Sequence, residues 1–167
     1  MRTTRPFGLA ACALAALLLT ACSDEGGDGG GSGDDRGGTA ACRLTGADVD
    51  VAASPAPAAG DTGTVTVTVT NRDSACVLDG FPEVTLVTDD GTEKLGPDEG
   101  AAAQELRLDQ DTPAAFTITY VRGDAGASAV QKARFALPGA DGTHDLEWTY
   151  GPVEGKATVS AFGPAGD

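Results

Sequence analysis

Thr64-Val65-Thr66-Val67-Thr68-Val69-Thr70 decides the fold class of this chain. Every residue in it is β-branched, which suits a pleated backbone and penalises a helix. Valine and threonine alternate with period two, so Val65, Val67 and Val69 share one face and the threonines the other. That is the pattern of a strand with one side buried and one side wet. Asn71-Arg72-Asp73-Ser74 ends it with turn-forming residues.

The same period recurs outward from this run in both directions. Upstream, beyond Pro57 and Pro55, Val49 and Val51 alternate with Asp48 and Asp50. Downstream, Val84, Leu86 and Thr88 lie on one face of a strand that Asp89-Asp90-Gly91 terminates, and Lys94-Leu95 begins a brief return strand. Glu105–Leu108, Ala114–Val121, Lys132–Leu137, Asp145–Tyr150 and Ala157–Phe162 continue the alternation. Ala125–Lys132 has room for one helical turn or a loop, and no stretch shows a sustained helical period. About eight short strands with Gly/Pro-rich turns predict an all-β fold, an immunoglobulin-like antiparallel β-sandwich.

The amino-terminal part is of a different kind. Arg2 and Arg5 form a basic start, Phe7–Leu19 is an uncharged, mostly apolar run of 13 residues, and Leu19-Thr20-Ala21-Cys22 closes it with small residues before a cysteine. As a helix that run spans roughly 20 Å, short of the ~30 Å hydrocarbon core, so it reads as a secretory signal rather than a membrane span. The final four residues fit the bacterial lipobox, in which the cysteine takes a diacylglyceryl thioether before cleavage on its amino side. Residues 1–21 are therefore expected to be a cleaved lipoprotein signal peptide and Cys22 the lipidation site. Two acyl chains anchor stably where one holds only marginally.

Residues 22–40 are expected to be a disordered linker. Ser23–Gly38 holds eight glycines and five acids with no large apolar side chain, so nothing offsets the entropy of ordering it. A Gly-rich coil of this length reaches about 24 Å on average. The β-sandwich domain is assigned to 41–163 and a short tail to 164–167. A domain of roughly 125 residues supports one modest core.

Of the four cysteines, Cys12 leaves with the signal and Cys22 takes the lipid, which leaves Cys42 and Cys76. Outside the membrane such a pair is expected to form a disulfide. Cys42 precedes the first strand, so the bond would tie the amino-terminal edge to the body rather than cross the core.

The chain carries −14 formally; the leader takes two of the 11 basic residues and none of the 25 acids, which puts the mature chain at −16. So acidic a surface repels phosphate backbones, and no nucleic-acid partner is expected. The expected oligomeric state is a monomer.

Cys42-Arg43, the Val65–Asn71 strand, Cys76-Val77-Leu78-Asp79-Gly80-Phe81-Pro82 and Leu137-Pro138-Gly139 together resemble the actinobacterial lipoproteins grouped as domain of unknown function 4232. The resemblance covers about Ala41–Phe162. It implies an exported β-sandwich and brings no catalytic residue with it. Arg122–Gln131 lacks a cysteine that some relatives carry there.

Candidate chemistry is sparse. His144 is the only histidine, and none of Ser54, Ser74, Ser128 or Ser160 sits in a nucleophile elbow to use it. Asp48/Asp50, Asp109/Asp111 and Asp141/Asp145 offer hard oxygen ligands of the kind calcium takes, but on strands this is also what a solvated face looks like. Trp148 and Tyr150, with Phe135, form either a stacking platform or core; a domain with so few aromatics needs them inside. Phe81 is expected to cover the disulfide. No catalytic residue, metal or cofactor is assigned. The expectation is a lipid-anchored protein on the extracellular face of the cell membrane, a non-catalytic binding or structural module with an envelope protein or glycan as partner. An envelope hydrolase using a carboxylate pair and a solute-binding accessory lipoprotein are the alternatives.

Overall fold

A computed structural model describes residues 39–165. The expected signal peptide, the lipidated Cys22 and nearly all of the linker lie outside the described residues, as do the last two positions of the tail.

The fold is an all-β sandwich. A single 3-10 turn (Leu44–Gly46) precedes β1 (Ala47–Ser54), β2 (Thr62–Asn71), β3 (Cys76–Leu78), β4 (Glu83–Thr88), β5 (Gly91–Lys94) and β6 (Gly96–Pro97). Then follow β7 (Leu106–Leu108), β8 (Pro113–Arg122), β9 (Val130–Ala136), β10 (His144–Glu147), β11 (Val153–Val159) and β12 (Gly163–Pro164). One sheet runs β1-β2-β8-β11-β6, with β12 also pairing β8; the other runs β10-β9-β4-β5; β3 and β7 form a small third sheet. Among these strands pairing is antiparallel except between β11 and β6; outside them, Ala41 bridges Val77 of β3 in parallel. The expected strands are present, and three very short ones, β3, β6 and β12, raise the number beyond eight. Ala125–Ala129 forms no helix, and β9 begins at Val130. Pro164, expected in the tail, pairs with Ala114.

Period two in the sequence becomes two-faced strands in space. β2 buries Val65, Val67 and Val69 and turns its threonines outward. Its central partner β8 sets Ile118, Phe116 and Ala114 directly opposite those valines. Across the sandwich, β9 contributes Ala133 and Phe135, and β4 contributes Val84 and Leu86. Phe116 joins the two layers edge-on, with its ring centroid 5.4 Å from Phe135 and 5.2 Å from Phe162. Burying a large side chain of this kind stabilises by about 1.5–3 kcal/mol.

Aromatic residues close one end of this core. Tyr120 lies against Trp148, and Trp148 against Tyr150, each pair at 5.0 Å and near-perpendicular. The Trp148 indole N–H donates to the Gly151 carbonyl at 2.8 Å. The Tyr120 hydroxyl accepts from Ala56 N and donates to Tyr150 O, which pins the two loops over the ring. That ring lies across Gly63, where a Cβ would come within 2.6 Å of it. Trp148 and Phe135 are thus core, as expected, and Tyr150 is half-buried. The strand expected over Asp145–Tyr150 stops at Glu147, because Trp148–Gly151 bends back to make these contacts.

β1 departs from its expected role. Its valines point to the core side, but only Ala47 and Val49 pack against the core, while Val51 is 41% exposed. Alternation fixes which way a side chain points. Whether anything covers it depends on the reach of the opposite layer.

Candidate functional site

Three of the motifs that carry the resemblance, Cys42-Arg43, Cys76–Pro82 and Leu137-Pro138-Gly139, meet at one pole of the sandwich. Cys42 and Cys76 are joined there, with their Cα atoms 4.9 Å apart. The chain arriving at the domain is stitched on as a short parallel strand beside β3. Val77 N donates to Ala40 O at 2.9 Å, and Cys42 N donates to Val77 O at 3.0 Å. Leu137-Pro138-Gly139 arrives from the end of β9. Gly139 adopts φ 69, a left-handed turn that favours glycine, close above the Ala41 side chain. Pro138 also approaches Gly80 from the Cys76–Pro82 run. The disulfide therefore ties the amino-terminal edge to the body, as its spacing along the chain implied. Phe81, expected over the disulfide, is half-buried.

Asn71 organises the same pole from within. It is only 5% exposed. Its Nδ2 donates to Ser74 O, Leu108 O and Asp109 O, and its Oδ1 accepts from Asp73 N. One side chain thus fastens the β2–β3 turn to the β7–β8 turn. Just outside, Arg72 spans Asp48 and Asp111 at 2.7 Å each. The hydrogen bond to Asp111 is the largest of the effects that raise the Arg72 pKa above its ordinary value, followed by that to Asp48. Asp111 has φ 62, left-handed for a non-glycine residue, and Asp tolerates this better than most.

Three shallow depressions flank the stitched segment. The largest, about 570 Å³, is lined by Ala40, Ala41, Arg43, Thr45, Gly139, Ala140 and Asp141. A second of about 320 Å³ lies over Val77, Asp79, Glu105 and Pro138, and a third of about 170 Å³ over Asp73–Cys76. In the largest, Arg43 takes part in none of the ion pairs seen among the described residues. A guanidinium beside small apolar side chains and a carboxylate can orient a polar ligand or a chain segment. In the sequence Arg43 stands out only as part of the Cys42-Arg43 motif. Its position beside the first domain cysteine and the Leu-Pro-Gly turn was the available signal, but their meeting depends on long-range pairing.

The other candidates are dispersed. His144 is half-buried on β10 with its ring 5.4 Å from Phe135. Ser160 Oγ accepts from Thr117 N and donates to Ala161 O, while Ser54, Ser74 and Ser128 are exposed at strand ends and loops. None of these serines is hydrogen-bonded to His144 among the described residues. The acids weighed for calcium are largely taken by cations. Asp48 and Asp111 hold Arg72, Asp109 holds Arg107, and Asp145 holds Lys132 and Arg134. Hydrogen bonds first from Arg134 and then from Lys132 keep the Asp145 carboxyl well below the usual carboxylate range. No group of three or more His, Cys, Asp or Glu side chains is placed to hold a metal among the described residues.

The fold and its pole define the class: an all-β sandwich clasped by one disulfide where the chain joins it, with its sequence motifs gathered around that clasp. The family described as Domain of unknown function (DUF4232) matches residues 42–163, and the chain belongs to that family. No curated protein and no solved structure matches it.

Proposed function

We propose that this protein is a lipid-anchored component of a bacterial cell envelope, of actinobacterial type, held by Cys22 on the extracellular face of the membrane. Its sandwich is a non-catalytic binding or structural module that engages an envelope protein or glycan through the loops of the disulfide pole. The observation that carries the reading is the order of Arg2/Arg5, Phe7–Leu19 and Leu19-Thr20-Ala21-Cys22 ahead of a domain closed by a Cys42–Cys76 disulfide. Such bonds persist in oxidising compartments and are rare in the cytosol.

Where the clasp sits also suits a tethered protein. A pull arriving along the linker reaches Cys42 and passes through the disulfide into β3, so the enclosed segment with β1 and β2 carries no load. β1 needs that protection, because it is an end strand with few buried side chains.

Replacing Cys22 with Ala in the natural host and fractionating the cells tests the anchor. The protein is expected to leave the membrane fraction for the medium. Retention in the membrane would refute the reading.

A further inference from the structure

β1 lies at the end of its sheet. Arg72 N donates to Gly46 O, which continues the β1–β2 register by one step and marks the even-numbered positions as those bonded to β2. Asn71 agrees, since its N–H and C=O both bond on the opposite side, to Thr112 and Asp111. By antiparallel alternation, the N–H and C=O groups of Ala47, Val49, Val51 and Ala53 face away from β2. No other described segment bonds to them. Val51, in the middle of this open edge, is the one large hydrophobic side chain exposed among the described residues. A row of unpaired backbone groups with an apolar centre is a template for another strand.

We infer that this edge is a self-pairing site, at which two copies of the chain join β1 to β1 antiparallel with the two-fold axis at Val51. Outward-facing residues must meet outward-facing residues, and the acids then choose among the registers left. An axis at Val49 sets Asp48 against the partner's Asp50, and an axis at Asp50 sets Asp50 against its own copy. Like charges directly opposite one another are destabilising. An axis at Ala52 sets Val49, inside the strand, against the partner's Pro55, which has no N–H to give, whereas an axis at Val51 brings Pro55 only against Ala47 at the strand's first position. With the axis at Val51, Asp50 faces the partner's Ala52, Asp48 faces the partner's Ser54, and the two Val51 side chains meet. The acids that guard the edge against most registers leave this one open.

The pairing does not rest on the lipid anchor. It departs from the expected monomer, which the net charge of the chain favours. That charge opposes association, so pairing should strengthen with salt.

Single cysteines test the register in the purified full-length protein, with cross-linked peptides mapped by mass spectrometry. In a bonded antiparallel pair the facing Cα atoms are about 5.5 Å apart, within disulfide reach. Val51→Cys is expected to cross-link to itself under mild oxidation, more completely at higher salt, while Asp50→Cys stays at background. Equal yields at the two positions, or none at Val51, would overturn the proposal. If Val51→Cys fails to fold, sedimentation of the unaltered protein decides. A salt-promoted dimer that Val51→Lys abolishes supports the pairing; a monomer at every concentration, or a dimer untouched by Val51→Lys, refutes it.

Discussion

Asn71 is the one buried polar residue among the described residues, and it spends its side chain on four backbone groups of two turns. Replacing it with Leu takes the donor from the part-buried Ser74 carbonyl, which no other backbone N–H meets among the described residues, and leaves it unpaired. Such an orphan costs about 1–3 kcal/mol, and urea unfolding should show a loss of that size. A variant as stable as the parent would show that water reaches that carbonyl. In the sequence, Asn71 reads correctly as the end of a strand. Its reach to Leu108 and Asp109 does not, because no local pattern records which distant turn lies beside it. Asp145 makes a second prediction at this scale. Its folded-state pKa is lowered by Arg134 and Lys132, so its contribution is complete above the unfolded carboxylate value near 4 and drains away as pH falls toward the lowered one. Carbon-13 NMR of the folded protein should find the Asp145 carboxylate still charged where an ordinary one is half-protonated. A midpoint near 4 would mean that the pairs with Arg134 and Lys132 do not form in solution.

Among the elements, β2 and β8 were legible because each alternates apolar and polar residues over many positions, and together they make the middle of the larger sheet. The boundaries were less so. The strand expected at Asp145–Tyr150 loses its last part because Trp148 and Tyr150 turn to cover Tyr120, a contact between distant segments. β3, β6 and β12 span two or three residues each, too few to carry a period. For β1 the facing of each side chain was legible, but its lack of cover was not. The disulfide was legible by elimination among the cysteines, and its effect can be measured. Closing a loop with a separation of 34 residues stabilises by about 3.8 kcal/mol in the chain-entropy account. Replacing Cys42 and Cys76 together with Ser should lower the unfolding free energy by a value of that order. Hydrogen exchange should rise first in β1, which the loop encloses. An unchanged midpoint would show that the pole is held by Asn71 and the β3 stitching alone.

For the whole molecule, charge and covalent closure work in opposite directions. A net charge of −14 opposes association and self-repels within the folded body. The clasp and the two-layer core hold that body together. The gathering of Cys42-Arg43, Cys76–Pro82 and Leu137-Pro138-Gly139 at one pole is a property of the assembled chain, invisible while each motif is read alone. It puts Cys76–Pro82 beside the segment through which the chain enters the domain. The measurement that tests this account most directly is the intact mass of the amino-terminal peptide from protein extracted from the membranes of its natural host. The account predicts a chain beginning at Cys22 with a diacylglyceryl group on its sulfur. A chain that retains Met1, or begins at an unmodified Cys22, would contradict it.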